Sequence, residues 1–398
     1  MKPIYLDNNA TTQVDPLVLE EMLPYFSELY ANPSSMHTFG GQVGGKLRQA
    51  RSRVAALLGC APDEVVFTAC GTESDNTAIR SALTVRPDRR RIVTTKVEHP
   101  AILGLVEHLK KTEGYDVVLL PVDGEGNLDL AAYKAALTPD TAIVSVMWAN
   151  NETGVVFPIP ELSAIARERG ILFHTDAVQA VGKIPMKLSE TAVDMLSLSG
   201  HKLHASKGVG ALYVRKGTPF APLLIGGHQE RGMRSGTENT PGLIGLGKAC
   251  ELAQTHMAEE NSRVRALRDR LEQGLLAAVP NSKLNGAKEP RLPNTSNISF
   301  KFVEGEAILL RLDQLGICAS SGSACSSGSL EPSHVLRAMG VPFTFAHGSI
   351  RFSLSRTTTD AEIDLVLTEL PKIIDTLRKI SPFNEQNAME EEKPACGC

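Results

Sequence analysis

Short apolar runs, partly β-branched, recur along the first 215 residues and alternate with stretches of helical periodicity. The runs predict strands at 64–70, 92–97, 116–122, 141–149, 171–177, 194–199 and 210–215. Helical patterns lie between several of them, at about 40–59, 73–85, 99–113, 129–137 and 160–169. Strands that alternate with helices predict an α/β fold whose sheet is largely parallel and buried on both faces.

The pattern changes after about residue 240. A long helical segment is predicted over about 240–278, and a shorter α/β portion follows to about residue 380. We therefore expect a large domain over 15–257 and a small domain that combines 1–14 with 258–381. The polar and acidic stretch 382–398 predicts a disordered tail.

Composition narrows the class of protein. The chain has 398 residues, which suits two domains, and a net charge of −4, which gives no general attraction for nucleic acid. No apolar run is long enough for a membrane span, and the first residues lack a signal core, so a cytoplasmic protein is expected. Seven widely spaced cysteines do not predict a disulfide framework, so reduced thiols are expected.

The segments HTDAVQAVGK and SLSGHK each follow the pattern of a strand end, and together they suit pyridoxal phosphate (PLP). Asp176 can pair with a pyridinium nitrogen, and Gln179 can donate to the ring oxygen. Ser199 and His201 can hold the phosphate, and Lys202 can form a Schiff base. The alternative for Lys202 is an ordinary lysine at the end of a strand.

Three polar segments at other predicted strand ends are weaker signals. Thr72 is predicted to cap a helix, with Asp75 three residues on, and such a helix start binds phosphate well or is merely capped. His99 could stack on a flat cofactor and move protons, or be a surface histidine. Asn151 could contact the cofactor oxygen or a substrate carboxylate, or only form a turn.

Cys325 lies in a serine- and glycine-rich run, ASSGSACSSGS, without apolar neighbours to bury it. Structural cysteines normally sit in cores, so this setting favours a solvent-reachable nucleophile or sulfur carrier. The alternative is a linker that happens to contain a cysteine.

Taken together, these residues closely resemble the cysteine desulfurases of PLP fold type I, in particular the NifS type associated with nitrogenase assembly. The resemblance begins at YLDNNATT, continues through NPSS at 32–35, and reaches RFSLSRTTT at 351–359. It includes DAVQ, SGHK, RSGTEN and SSGSAC in that order, and covers all but the tail. It implies a large domain with a mainly parallel seven-stranded sheet and a smaller C-terminal α/β domain.

The resemblance also implies a role for each site residue around the cofactor. Lys202 would carry the Schiff base, Asp176 would pair with the pyridine nitrogen, and Gln179 would contact the ring oxygen. His99 would stack on the ring. The phosphate would be held by Gly71, Thr72, Ser199 and His201, together with Thr237 of the other subunit, so a homodimer is implied.

Around the substrate, the resemblance implies that Asn151 and Arg351 hold the carboxylate of L-cysteine. Lys202 would remove the α-proton, and His99 would shuttle protons. Cys325 would accept the sulfur as a persulfide and release L-alanine. The expected acceptor is an iron–sulfur scaffold of the NifU type, and Cys325 could also serve there as a transient iron–sulfur ligand.

Two alternatives remain from the sequence. A related selenocysteine lyase or cysteine sulfinate desulfinase would use the same cofactor residues with another substrate. A thiol-rich metal-binding or scaffold protein would show no turnover, although the chain has no paired Cys-x-x-Cys motif at zinc spacing.

Overall fold

The protein is described from a computed structural model, which covers residues 3–321 and 332–382. In chain order the strands are β1 (Ile4–Tyr5), β2 (Val65–Thr68), β3 (Arg91–Thr95), β4 (Asp116–Leu120), β5 (Thr141–Ser145), β6 (Leu172–Asp176), β7 (Met195–Ser199), β8 (Gly210–Val214), β9 (Ser282–Leu284), β10 (Thr295–Phe300), β11 (Ile317–Cys318) and β12 (Ser349–Ser353).

The helices are α1 (Pro16–Met22), α2 (Pro24–Ser27), α3 (Thr38–Leu58), α4 (Gly71–Val85), α5 (Pro100–Glu113), α6 (Leu130–Ala136), α7 (Ile159–Glu168), α8 (Thr240–Glu259), α9 (Arg265–Ala278), α10 (Gly305–Asp313), α11 (His334–Ala338), α12 (Phe343–Ala346) and α13 (Asp360–Ile380). In the covered ranges, no helix is long and apolar enough to cross a membrane.

Within the described residues, seven strands form the central sheet in the order β2-β8-β7-β6-β5-β3-β4. All are parallel except β8, which runs antiparallel to both of its neighbours. Strands β5, β6 and β7 are buried along their whole length, as expected for strands of a parallel sheet with both faces covered. The predicted α/β fold with a mainly parallel seven-stranded sheet is confirmed.

A second, smaller core lies beyond the central sheet. The antiparallel strands β12-β10-β9 carry helices α9, α10 and α13, and Leu271, Phe300, Phe352 and Leu370 are buried between them. The amino-terminal strand β1 pairs with β11, which brings the first residues of the chain to this portion. The exact domain boundaries given above stay a prediction.

The long helix predicted over 240–278 is present, but it is not uniform. A π-helical turn, Glu260–Val264, separates α8 from α9. Such turns insert one extra residue into a helix and often lie at functional sites. Here the turn lies where the chain passes from the central sheet to the smaller core.

Candidate active site

A cavity of about 380 Å³ lies at the carboxyl ends of the parallel strands. Ligands of open α/β sheets bind at this edge. The cavity brings together most of the residues predicted from the sequence, which follow β2, β3, β5, β6 and β7 or lie on β12: Gly71, Thr72, His99, Asn151, Asp176, Gln179, Ser199, His201, Lys202 and Arg351.

Asp176 is a buried carboxylate at the end of β6, with an exposed fraction of only 6 %. Its Oδ1 accepts a hydrogen bond from the backbone amide of Val178 at 2.9 Å. Burial raises the pKa of Asp176, and His99, the Val178 amide and Lys202 oppose that rise. Because a buried carboxylate is stabilised by a positive partner, this position suits a protonated ring nitrogen.

His99 is the N-cap of α5, and its Nδ1 accepts from the backbone amide of Ala101 at 3.1 Å. Burial lowers the pKa of His99, and Asp176 opposes that effect. A neutral imidazole whose Nδ1 accepts must carry its proton on Nε2. The cap therefore fixes both the tautomer and the position of the ring beside the cavity.

Lys202 follows β7 in a tight 3₁₀ turn, Gly200–Lys202. Its Nζ donates to the backbone carbonyl of Ala10 at 2.7 Å and to that of Asn9 at 2.5 Å. The amine is thus held at the cavity wall by carbonyls of the amino-terminal segment. Both of these partners are backbone carbonyls.

Gln179 shares one of these carbonyls. Its Nε2 donates to Asn9 O at 2.9 Å, and its Oε1 accepts from Lys183 Nζ at 3.0 Å. The backbone carbonyl of Asn9 therefore receives both Gln179 and Lys202. The Asn9 side chain is itself fixed, because its Nδ2 donates to Thr295 Oγ1 at 2.9 Å and its Oδ1 accepts from Asn294.

The first turn of α4 and the end of β7 form a cradle with few protein contacts. A Cβ on Gly71 would lie 2.9 Å from Val178 Cγ2, so only glycine fits without a shift. Ser199 Oγ is buried and has no hydrogen-bond partner among the residues that the structure describes. Burial lowers the pKa of His201 to about 4, which leaves its ring neutral. An orphaned hydroxyl beside the start of a helix suits a phosphate.

The helix cap at this place differs from the sequence prediction. The N-cap of α4 is Cys70, whose Sγ accepts from the backbone amide of Glu73 at 3.4 Å, so the prediction of Thr72 as the cap was wrong. The helix starts at Gly71 because glycine permits close approach to Val178. Thr72 is consequently in the first turn, exposed and at the cavity.

Arg351 lies on β12 and closes the cavity from the side of the smaller core. Its Nη1 donates to the Asn151 carbonyl at 3.0 Å, and its Nη2 pairs with Asp7 at 2.8 Å. Its Nε is buried and lacks a hydrogen-bond partner within the described ranges. A guanidinium in this place can receive a carboxylate from the cavity.

One predicted residue lies elsewhere, and another falls outside the residues that the structure describes. Thr237 is exposed on the glycine-rich loop 226–237 and does not line this cavity. The loop is tied to the start of α4, because Arg234 Nε donates to Glu73 at 2.8 Å. Cys325 lies outside the described residues, together with its predicted roles as nucleophile and iron–sulfur ligand.

The described residues on either side of Cys325 both border the site. Before it, Ser320 exchanges backbone hydrogen bonds with Arg351 at 2.6 and 3.2 Å. After it, Ser333 Oγ lies 2.5 Å from Glu152, and His334 Nε2 lies 2.9 Å from the carbonyl of Glu98. Burial raises the pKa of Glu152 to about 7, which Ser333 and Arg351 oppose.

The sequence reasoning missed several residues of this site. Asn9 and Ala10 contribute backbone carbonyls, which a search for reactive side chains does not find. Lys183 and Asp75 are buried polar groups next to predicted members, and the cavity also contacts Met147 and Cys70. The only sequence signal for Asn9 was its place in YLDNNATT, to which no role was attached.

Comparisons with known proteins agree with this geometry. The family profile described as "Aminotransferase class-V" matches residues 4–366. The chain belongs to this family. Curated relatives are the "Cysteine desulfurase 2" of Trichormus variabilis, 62 % identical over 98 % of this chain and 97 % of that protein, and the "Cysteine desulfurase NifS" of Azotobacter vinelandii, 58 % identical over 98 % of each.

A solved structure described as a NifS-like protein matches with a TM-score of 0.88 and 39 % identity, over 94 % of this chain and 100 % of that one. Within the class-V aminotransferase family, the chain is thus similar to cysteine desulfurases over almost its whole length. The resemblance inferred from the sequence is confirmed, and the family implies PLP as cofactor.

Proposed function

We propose that this chain is a PLP-dependent cysteine desulfurase, which removes sulfur from L-cysteine to give L-alanine and a persulfide on Cys325. The observation that carries the proposal is one cavity that joins Lys202 and the buried carboxylate of Asp176 with an orphaned hydroxyl on Ser199. The similarity to cysteine desulfurases at about 60 % identity supports the choice of substrate.

The residues around the cavity fit the cofactor. Lys202 would hold PLP covalently, Asp176 would pair with its ring nitrogen, and Gln179 Nε2 would donate to its ring oxygen. His99 would cover one face of the ring. Gly71, Thr72, Ser199 and His201 would hold the phosphate. When bound, PLP supplies a positively charged ring that stabilises negative charge at the substrate α-carbon.

The substrate carboxylate would meet Arg351 and the side chain of Asn151. Lys202 Nζ would take a proton from the α-carbon and return one to the product. His99 would exchange a proton with sulfur through Nε2, because its Nδ1 is occupied by the Ala101 amide. Arg351 reaches the cavity from the smaller core, so substrate binding would engage both portions of the chain.

Cys325 would attack the substrate sulfur as a thiolate. An S–S bond forms while the C–S bond breaks, and the electron pair of the broken bond stays with the carbon fragment. That fragment takes up a proton and leaves as L-alanine. The contacts of Ser320 with Arg351 and of Ser333 with Glu152 support this assignment, because they bring described residues on both sides of Cys325 to the site.

The proposal extends to the homodimer and to the acceptor of the sulfur. In a homodimer, Thr237 of one subunit would reach the phosphate in the other. Exposed apolar side chains such as Phe26, Met36 and Ile225 offer surface for a second copy. The sulfur would pass in the cytoplasm to an iron–sulfur scaffold of the NifU type for nitrogenase assembly, and Cys325 could transiently ligate a cluster there. The name of the Azotobacter vinelandii relative supports the NifS type.

The test compares Cys325→Ala with Cys318→Ala, a control for a cysteine seven positions earlier in β11. After incubation with L-cysteine, mass spectrometry should find one added sulfur on Cys325 in the wild type and in the control. Cys325→Ala should bind PLP normally but form no alanine. Alanine formation by Cys325→Ala at the wild-type rate would refute the assigned nucleophile.

The same assay separates the related activities. We expect turnover of L-cysteine with persulfide on the protein. Exclusive turnover of selenocysteine would identify a selenocysteine lyase, and exclusive turnover of cysteine sulfinate would identify a desulfinase. A purified protein that binds metal and takes up no PLP would contradict the enzyme proposal altogether.

A further inference from the structure

Lys183 is a buried lysine four residues beyond Gln179, with an exposed fraction of 7 %. Its Nζ donates to Gln179 Oε1 at 3.0 Å and to the Gln179 backbone carbonyl at 3.2 Å. The Lys183 carbonyl accepts from Asn261 Nδ2 at 2.8 Å, and Asn261 belongs to the π-helical turn between α8 and α9. Both the main chain and the side chain of Lys183 are therefore fixed.

The amide of Gln179 has only one orientation that satisfies its neighbours. An ammonium has donors and no acceptor, and a backbone carbonyl accepts only. Oε1 must therefore face Lys183, and Nε2 must face Asn9 O. A rotated amide would set donor against donor on one side and acceptor against acceptor on the other.

We propose that Lys183 is a positioning residue that fixes the Gln179 amide so that Nε2 is presented to the cofactor cavity. The proposal rests on the proposed function for the placement of the PLP ring oxygen at Gln179. A carboxamide alone could approach that oxygen with either end, because its two ends have nearly the same shape. Lys183 and the Asn9 carbonyl together remove this ambiguity, because one binds Oε1 and the other binds Nε2.

Lys183 and the acidic residue Glu260, which interacts with its charge, both line a second, smaller cavity. This cavity is lined by Lys183, Lys202, His204, His256, Glu260 and Arg356. Burial lowers the pKa of Lys183 to about 7, Glu260 opposes that effect, and Lys202 and Arg351 reinforce it. The ammonium form has no acceptor and fixes the orientation of Gln179 below this pKa, whereas above it the Asn9 carbonyl, which only accepts, favours the same orientation.

The experiment uses the full-length protein with bound PLP and no substrate. Its visible absorbance is titrated with pH in the wild type, Lys183→Met, Gln179→Ala and the double variant. Loss of a donor to the ring oxygen raises the proton affinity of the chromophore, so Lys183→Met should raise the titration midpoint by about one pH unit. It should also weaken PLP binding about tenfold.

The double variant tests whether Lys183 acts through Gln179. Lys183→Met should add no further midpoint shift to Gln179→Ala, whereas a general structural defect would shift the midpoint in both backgrounds. Lys183→Arg should restore the wild-type midpoint because it keeps a donor-only group. Glu260→Gln is the matched control, because it changes the balancing charge and leaves both contacts from Lys183 to Gln179.

If Lys183→Met fails to fold, Lys183→Gln can be used in the same titration. An amide at position 183 can accept as well as donate and so permits both orientations of Gln179. A titration midpoint that is unchanged in either Lys183 variant would overturn the proposal. So would a shift on Lys183→Met that is equally large in the Gln179→Ala background. A wild type that binds PLP but does not turn over cysteine would refute only the proposed function. A wild type that takes up no PLP would refute both.

Discussion

Ser333 Oγ and Glu152 Oε2 lie 2.5 Å apart, which fastens the chain just after Cys325 to the turn that carries Asn151. Both side chains are buried. The contact joins two segments 181 residues apart in sequence, and it lies beside Arg351. It therefore fixes Ser333, at the start of α11, to the turn that follows β5.

Ser333→Ala should release this anchor. The buried Glu152 then loses its hydroxyl donor, and we expect the free energy of unfolding to fall by about 1–3 kcal/mol. We also expect faster alkylation of Cys325 by iodoacetamide, measured by peptide mass spectrometry. Ser52→Ala is the control, because Ser52 is exposed and contacts only its own helix. An alkylation rate equal to that of the wild type would argue against the anchor.

Glu98 predicts a dependence of stability on pH. Burial raises its pKa from 4.5 to about 8, while the Met147 amide and Thr95 oppose the rise. The folded chain thus holds this proton more tightly than the unfolded chain does. Its contribution to stability is complete below pH 4.5 and is lost as the pH rises through about 8.

In Glu98→Gln, the side chain at this position cannot be ionised. Relative to this variant, the wild type should lose about 2–3 kcal/mol of unfolding free energy between pH 6 and 9, measured by urea denaturation. Glu107→Gln, on the exposed surface of α5, should leave the pH dependence of the wild type unchanged. Parallel curves for the wild type and Glu98→Gln would contradict the buried neutral carboxyl.

Gly71→Ala tests the cradle at the start of α4. The new Cβ would lie 2.9 Å from Val178 Cγ2, so the helix start must shift. We expect PLP affinity to fall at least tenfold, or about 1.4 kcal/mol, measured by equilibrium titration. Gly104→Ala in α5 is the control, because no atom lies within 4 Å of its added Cβ. The control should keep its PLP affinity and gain about 0.5–1 kcal/mol of stability.

Mixed dimers test whether Thr237 acts across subunits. Lys202→Ala and Thr237→Val should each be nearly inactive as homodimers. A heterodimer of the two has one site with both defects and one with neither, so it should regain about half of the wild-type activity per dimer. If Thr237 serves its own subunit, every site keeps one defect and mixing restores nothing.

The sequence was sufficient to predict those site residues whose positions depend on the ends of nearby strands. Asp176 and Lys202 could be placed because Asp176 ends β6 and Lys202 lies in the turn after β7, and parallel strands end at one edge. The cap of α4 was misassigned because threonine usually caps better than cysteine, whereas close contact with Val178 decided the helix start at Gly71.

The contributions of Asn9 and Lys183 could not be predicted in this way. The carbonyl of Asn9 meets Lys202 only because β1 pairs with β11, more than 300 residues later in the chain. The Asn9 contact depends on segments far apart in the chain, which periodicity and motif spacing do not encode. Lys183 contacts Gln179 across only four residues, but no periodicity or motif pointed to that pair.

The shared acceptor at Asn9 has a consequence for mutational scanning. Lys202 and Gln179 both bind the backbone oxygen of this residue, and every amino acid has that oxygen. A substitution at position 9 can therefore report only on the side chain that steadies the main chain. An ester in place of the peptide bond between Asn9 and Ala10 would weaken the carbonyl oxygen as an acceptor. The contribution of the atom that binds both Lys202 and Gln179 can therefore be measured in a chemically synthesised or semisynthetic protein, and not by substitution of the side chain.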